Sequence, residues 1–280
     1  MSETIGIIAG SGQFPKLVAQ DARAAGLGVV ICGFTGHTDP ALADQADAFT
    51  MLHIGQLDKM LSFFHKHKAQ RVCMAGAISK PKVLDFRPDL RAAKILFSLR
   101  GKGDDTLLRA AVREFEKEGF RVVPASSFSS SLVCPRGVLT PFGPDELARA
   151  GIVWGWPIAA TLGRYDIGQC MVVRQEMVVA IECLEGTDAT LRRGGELGGK
   201  GCVAIKRFKP GQDDRVDLPS VGLGTVRVLI EYGYSCLAIE AGKTLFFDRE
   251  QAVEEARKHK LCIVALTDED IAGMAVKMGN

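Results

Sequence analysis

The spacing of the apolar runs constrains this chain more than any other feature. TIGIIAG (4–10), GVVICGF (28–34), RVCMAGAI (71–78) and FRVVPA (120–125) are short and rich in β-branched residues. Apolar runs without alternation belong to strands buried on both faces. Between them lie helical patterns at 14–25, 56–68 and 104–118. In the last of these Leu107, Leu108, Ala111, Val112 and Phe115 share a face and Gly119 supplies a stop. Strands alternating with helices predict a parallel sheet wrapped by helices.

The pattern then changes. SSFSSSLVCPRGVLTPFGPDE (126–146) is rich in serine, proline and glycine and reads as a connection. Beyond it, a helix is expected over 144–162. CMVVRQEMVVAIE (170–182) reads as a hairpin turning at Gln175-Glu176, and further strand signals lie at 201–208, 234–241 and 244–248, with helices near 187–197, 222–232 and 249–259. At 280 residues, two domains are the default. The predicted architecture is two-domain α/β: a Rossmann-like N-terminal domain with a parallel sheet over 1–130, a linker over 131–153, and a mixed α/β domain over 154–280.

Charge and cysteine usage narrow the function classes. A net charge of +2 argues against a nucleic-acid partner held by a basic field. Eight cysteines, none in a CxxC pair, read as reduced residues of a cytoplasmic protein and neither as a disulfide frame nor as a zinc site. No secretory leader and no apolar run of membrane-spanning length is expected.

The candidate site residues cluster at junctions between elements. Gly10, Ser11 and Gly12, in GIIAGSGQFP, form a glycine-rich turn before a helix, suited to a phosphate. Pro15 occupies the third glycine's place of a dinucleotide fingerprint, and the second strand ends in Gly33-Phe34 without an acidic residue, so NAD binding is weakly supported. Lys80, in AGAISKPK, follows a central strand and could reach an anion. Lys102, Gly103, Asp104 and Asp105 stand at the start of a helix, where one carboxylate serves as a cap and two suggest a metal–phosphate site. In the second half come Asp166 and Gln169, then Glu185, Thr187, Asp188, Arg192 and Arg193, then Asp217 and finally Glu240 and Lys243. They fall in four acid-glycine junctions, all between apolar elements, and together they read as a polar cleft. Trp154, Trp156, Met171 and Met177 are candidates for an apolar cleft, with ordinary core as the simpler reading.

The motifs AGSGQFP, AGAISKP, KGDD, DIGQ, EGTDATLRR, RVDLPSVG and EAGKTLFFDRE occur in this order. Over nearly the whole chain the sequence resembles the UDP-2,3-diacylglucosamine pyrophosphatases of lipid A biosynthesis, of the type unrelated to calcineurin-like phosphoesterases. The resemblance implies a cytoplasmic, Mg²⁺-dependent hydrolase, peripheral at the inner face of the inner membrane. It would convert UDP-2,3-diacylglucosamine to UMP and 2,3-diacylglucosamine 1-phosphate, and it is compatible with a homodimer. It implies catalytic roles for Asp104, Asp105, Asp188 and Asp217, with Asp104, Asp105, Glu185, Asp188 and Asp217 as candidate Mg²⁺ ligands. The remaining polar residues named above would bind substrate. Gly224 stands where the resemblance places a catalytic aspartate. The alternative is therefore a non-catalytic homologue that holds a nucleotide-sugar or lipid phosphate.

Overall fold

The computed structural model describes residues 3–78, 87–98 and 104–278, with the backbone alone at Ser98, Asp104 and Asp105. The sequence candidates Lys80, Lys102 and Gly103 lie outside the described residues. The chain divides into two compact units, Met1–Ser130 with Asp213–Asp217, and Ser131–Gln212 with Leu218–Asn280.

Unit 1 comprises β1 (Thr4–Ala9), α1 (Phe14–Ala24), β2 (Gly28–Phe34), β3 (Ala48–Leu52), α2 (Leu57–Lys66), β4 (Arg71–Ala75), α3 (Leu90–Ser98), α4 (Asp104–Lys117) and β5 (Arg121–Val122). The strands form one parallel sheet in the order β3-β2-β1-β4-β5. This is the Rossmann-like arrangement expected from the alternation. Ile5, Ile7, Val29 and Ile31 pack on one face with Val18, Ala19 and Ala22 of α1. Ile8, Val30, Cys32 and Val72 pack on the other with Leu61 and Phe64 of α2 and Val112 and Phe115 of α4. Coverage on both faces explains why these strands carry apolar runs without alternation. Leu107, expected on the core face of α4, is instead exposed; Ala110 is buried in its stead.

The segment 213–217 is a turn belonging to this unit. Asp217 donates its backbone N–H to the Asp213 carbonyl at 3.3 Å. Arg215 grips the Asp213 carboxylate through Nε at 2.9 Å and reaches Glu116 of α4 at 2.7 Å. Val216 packs against the cluster that contains Val112 and Phe115. Asp217 thus lies in unit 1 although it falls inside the span expected for the second domain. A local motif gives no sign of that return, because side chains distant in sequence, Val216 in the core and Arg215 on Glu116 among them, hold it.

Unit 2 comprises β6 (Gly137–Val138), α5 (Glu146–Arg164), β7 (Cys170–Arg174), β8 (Met177–Ile181), α6 (Thr187–Gly198), β9 (Val203–Lys206), β10 (Ser220–Val221), α7 (Leu223–Glu231), β11 (Cys236–Glu240), β12 (Leu245–Phe246), α8 (Arg249–Lys258), β13 (Cys262–Leu266) and α9 (Asp268–Met278). Its main sheet runs β6-β13-β11-β9-β7-β8. β9, β11 and β13 are parallel, whereas β7 is antiparallel to both neighbours and β6 to β13. β10 and β12 pair in a small parallel sheet. α5 covers one face through Ile152 and Trp156. α6, α7 and α8 cover the other through Leu191, Leu229 and Ala252.

The stretch 131–153, expected as a linker, is part of this unit. β6 pairs with β13, Cys134 takes a backbone bond from its N–H to the Thr244 carbonyl at 2.8 Å, and Asp145 caps α5 by accepting from Ala148 N–H at 2.7 Å. These residues build turns, and Asp145 a cap, instead of a loose tether. All eight cysteines are free and all but Cys183 are buried, as their apolar surroundings predict. Trp156 and Met171 are core residues; Met177 is exposed.

Candidate functional site

In unit 1 the Gly10–Gly12 turn lies where the strand order reverses, between β1 and β4, the position at which open α/β sheets take ligands. Here the two loops close on each other. Gly10 N–H donates to Ala75 O at 2.8 Å, Ser11 N–H to Ala77 O at 2.8 Å, and Ala77 N–H to Ser11 O at 3.2 Å. The Ser11 hydroxyl adds a bond to Ala77 O at 2.9 Å. A Cβ on Gly10 would meet Ala77 O at 2.5 Å, and one on Gly76, whose φ is +89°, would meet Ser11 O at 2.5 Å. Close approach of two backbones accounts for these glycines. The Gly10 and Ser11 amides expected to face a phosphate are already bonded, and Pro15 brings no N–H to the first turn of α1. Asp104 and Asp105 do begin α4, as the KGDD motif predicts. The Arg215 guanidinium beside Asp213 holds that carboxyl below its usual range.

Unit 2 is different at the corresponding edge. β8, β9, β11 and β13 point the same way, so Glu182, Lys206, Arg207, Glu240 and Asp268 follow or end strands at one carboxyl edge. Two polar assemblies stand there. In the first, Lys206 is only 4% exposed. Its ammonium donates to Thr187 Oγ1 at 2.9 Å and to the Ser220 carbonyl at 2.8 Å. The Thr187 hydroxyl donates in turn to Glu182 Oε1 at 3.0 Å. Glu182 is buried, and its N–H bonds to the carbonyl of Cys170, itself the register partner of Lys206. Burial pushes the Cys170 thiol up to about 12, against the pull of Lys206, so it stays protonated. Lys206 therefore links the first residue of α6 to the strand that leads into α7. Neither helix has a side-chain cap at its start, where Gly186 and Gly222 stand.

In the second assembly Arg207 bonds Glu240 at 3.1 Å and Asp268 at 2.9 Å, lies 4.5 Å over the Trp156 ring and donates to the Trp156 carbonyl at 3.2 Å. Trp156 Nε1 closes the ring of contacts by donating to Asp268 Oδ1 at 2.7 Å. Glu240 also accepts from Phe208 N–H at 3.2 Å. This network satisfies its own charges and fixes the end of β9.

The structure distributes the sequence candidates unevenly around this edge. Thr187 and Glu240 join the two assemblies. Gln169 precedes β7; its Oε1 is buried without a partner, and its carbonyl accepts from Arg207 N–H at 2.9 Å. Gly168 beside it is obligatory, with φ +40° and a Cβ that would fall 2.0 Å from the Glu182 carbonyl. Lys243 rests its ammonium 5.1 Å over the Phe208 ring. Asp188 is exposed in the first turn of α6.

Others are committed elsewhere. Glu185, expected as a metal ligand, accepts from Arg193 at 2.6 Å, from the Thr190 hydroxyl at 3.3 Å and from Cys183 N–H at 3.2 Å. Its carboxyl is held low by its own backbone N–H and by Arg193. Arg193, expected on phosphate, also donates to the Ile181 carbonyl at 2.9 Å, so the pair clamps α6 to the hairpin. Asp166 has left-handed backbone, φ 59°, and pairs with Lys209 at 2.5 Å. Arg192 is exposed, and its charge acts on Tyr232. Lys206, Arg207 and Glu182 were missed in the sequence, although GCVAIKRF places two basic residues directly at the end of an apolar strand, an arrangement that needs a reason.

Comparison with known proteins identifies the lineage. Residues 4–132 match the family model of the LpxI N-terminal domain and residues 135–264 that of the LpxI C-terminal domain. The chain belongs to the LpxI family. Within it, the UDP-2,3-diacylglucosamine pyrophosphatase LpxI of Caulobacter vibrioides is 35% identical over 277 residues, covering 95% of this chain and 98% of that protein. Two solved structures show a faint likeness. Biotin carboxylase of Campylobacter jejuni has a TM-score of 0.28 at 10% identity over 71% of this chain, which spans 42% of that structure. Phosphoribosylglycinamide synthetase of Anaerococcus prevotii has a TM-score of 0.26 at 11% identity over 66% of this chain, which spans 40% of that structure. Likeness at that level bears on neither fold nor function.

Among the described residues no group of three or more His, Cys, Asp or Glu side chains gathers in a way that would hold a metal ion. No described helix is long and apolar enough to cross a membrane.

Proposed function

We propose that this protein hydrolyses the pyrophosphate bond of UDP-2,3-diacylglucosamine, giving UMP and 2,3-diacylglucosamine 1-phosphate. The observation that carries this reading is membership of the LpxI family across both domains, with a pyrophosphatase relative aligned over 95% of the chain. The carboxyl edge of unit 2 supports it, since a buried ammonium beside two helix starts without side-chain caps suits an anionic group. In the reaction a water oxygen forms a bond to one phosphorus as the bridging P–O bond breaks. The bridging oxygen leaves on the other phosphate, and the water proton passes to solvent or to a carboxylate. Both phosphates are anionic, so the protein must neutralise charge and position that water.

Mg²⁺ belongs to the proposal, with Asp104, Asp105, Glu185, Asp188 and Asp217 as candidate ligands. Bound beside a pyrophosphate, such an ion neutralises oxygen charge, and it binds through one or two carboxylates together with substrate phosphates. The described side chains form no cage for it, so no step is assigned to it. A lipid substrate also implies work in the cytoplasm at the inner-membrane surface.

Position 224 decides between turnover and binding alone. Gly224 lies in the first turn of α7, is exposed, and has nothing within 4 Å of where a Cβ would stand. An aspartate would be accommodated there. The test is UMP release from UDP-2,3-diacylglucosamine by this protein and by Gly224→Asp, with Mg²⁺ and with a chelator. Release by the unmodified protein, abolished by the chelator, is the expected result. Release by the variant alone means a binding homologue with disabled chemistry, and release by neither overturns the reading.

A further inference from the structure

We infer that Lys206 is the phosphate-binding cation of unit 2, taking the pyrophosphate group of a nucleoside diphosphate ligand at the starts of α6 and α7. The inference deepens the reading above and rests on it for the identity of the ligand.

The ammonium of Lys206 has no direct ion-pair partner among the described residues. An ammonium carries three N–H donors. Lys206 is 4% exposed, and two of its protons go to Thr187 Oγ1 and the Ser220 carbonyl. Both acceptors are neutral. Among the described residues no carboxylate reaches ion-pair distance of Lys206, and no acceptor takes its third proton. Glu182 comes nearest in the chain of bonds, but Thr187 stands between them. Arg207, the next residue along the strand, shows the contrast: it is as buried and has two carboxylates and an aromatic face. A buried charge whose nearest carboxylate is reached only through a hydroxyl is costly. Retaining one at the carboxyl edge of a sheet is explained if the counterion arrives with a ligand.

Two features orient that ligand. The Thr187 hydroxyl has a single proton, given to Glu182, so it can only accept from Lys206 and the ammonium is fixed in place. Gly186 and Gly222 begin α6 and α7 without side-chain caps, leaving first-turn N–H groups for the same anion. Gln169 Oε1, buried without a partner at this edge, suits a hydroxyl or water of the ligand. A structural lysine would explain the bonds to Thr187 and Ser220 but neither the uncapped helix starts nor the unpartnered Gln169 Oε1.

Calorimetric titration of the full-length protein with UDP, inorganic pyrophosphate and uridine, in the presence of Mg²⁺, tests the assignment. In Lys206→Met, binding of UDP and pyrophosphate should fall about tenfold or more, with uridine unchanged; Lys206→Arg should restore part of it. The thermal midpoint of Lys206→Met is followed alongside, because the buried Glu182 carboxylate loses its nearest positive charge with the ammonium. A lowered midpoint with unchanged UDP affinity would show a structural lysine and overturn the inference, as would a wild-type protein that binds neither UDP nor pyrophosphate. The wild type supplies a second arm that needs no folded variant. Its slowly exchanging Lys206 ammonium signal in ¹⁵N spectra should shift with pyrophosphate, and no shift at saturation sinks the assignment. Turnover unchanged in Lys206→Met would remove the inference and leave the hydrolase standing. Lys206-dependent pyrophosphate binding without turnover would do the reverse.

Discussion

In unit 1 the loops leaving β1 and β4 meet backbone to backbone, whereas in unit 2 the segments leaving β8 and β9 meet through a threonine, a glutamate and a lysine. Each lies at the carboxyl edge of its sheet. The first edge uses glycines to let Gly10–Ser11 and Gly76–Ala77 approach, and its amides are bonded as a result. At the second edge glycines stand at the starts of α6 and α7, where no side chain caps the helix. A glycine beside a strand end therefore has opposite meanings. It can close a crevice or hold a helix start open, and the neighbouring polar atoms decide which.

Substitutions at these positions can break the contrast or sharpen it. Gly168→Ala should be the most damaging, about 4 kcal/mol, because its Cβ falls on the Glu182 carbonyl at 2.0 Å and its φ is +40°. Denaturant unfolding would show it; a loss below about 1 kcal/mol would mean that Glu182 is not seated by this glycine. Gly10→Ala should cost about 3 kcal/mol through the 2.5 Å approach to Ala77 O. It should also speed amide exchange at Ser11 and Ala77, whereas an unchanged exchange pattern would refute the closed edge.

Asp213→Asn should destabilise unit 1 by about 1–2 kcal/mol at neutral pH, read from the exchange of α4 amides. Arg215 lowers the Asp213 carboxyl in the folded state. The contribution is therefore complete above the unfolded carboxylate value of about 4 and fades as pH falls through the lower folded value. The variant should flatten the acid limb of the stability curve, and a parallel limb would discount the pair. Gly224→Asp should have the smallest effect on stability, a gain of about 0.5 kcal/mol from a carboxylate at a helix start and from leaving glycine. A marked fall in thermal midpoint would show that the space beside Gly224 is not open.

Much of this was legible in the sequence, for identifiable reasons. The strands of unit 1 are buried on both faces, so their apolar runs stand out, and α4 carries enough periodicity to be placed within a residue at each end. The hairpin at Gln175-Glu176 was legible because two β-rich runs flank a polar pair. β3 was missed because AFTML is half-buried along its length and looks like loop. The site was legible as a list of polar residues at junctions but not as an assembly. EGTDATLRR offers Glu185, Thr187, Asp188 and two arginines with equal claims. Only the fold shows that Glu185 and Arg193 satisfy each other while Thr187 turns toward Lys206. Lys206 itself closes an apolar run, with no glycine or helix start beside it to mark it.

The turn at 213–217 has a consequence for how the chain is made. Unit 1 draws its last five residues from beyond most of unit 2's sequence. During synthesis its first 130 residues can leave the ribosome with their strands complete, yet α4 still lacks Arg215 at Glu116 and Val216 beside its core. The N-terminal unit is therefore finished only once residue 217 has emerged. A fragment ended at the boundary between the two family domains would be a body missing its final stitch.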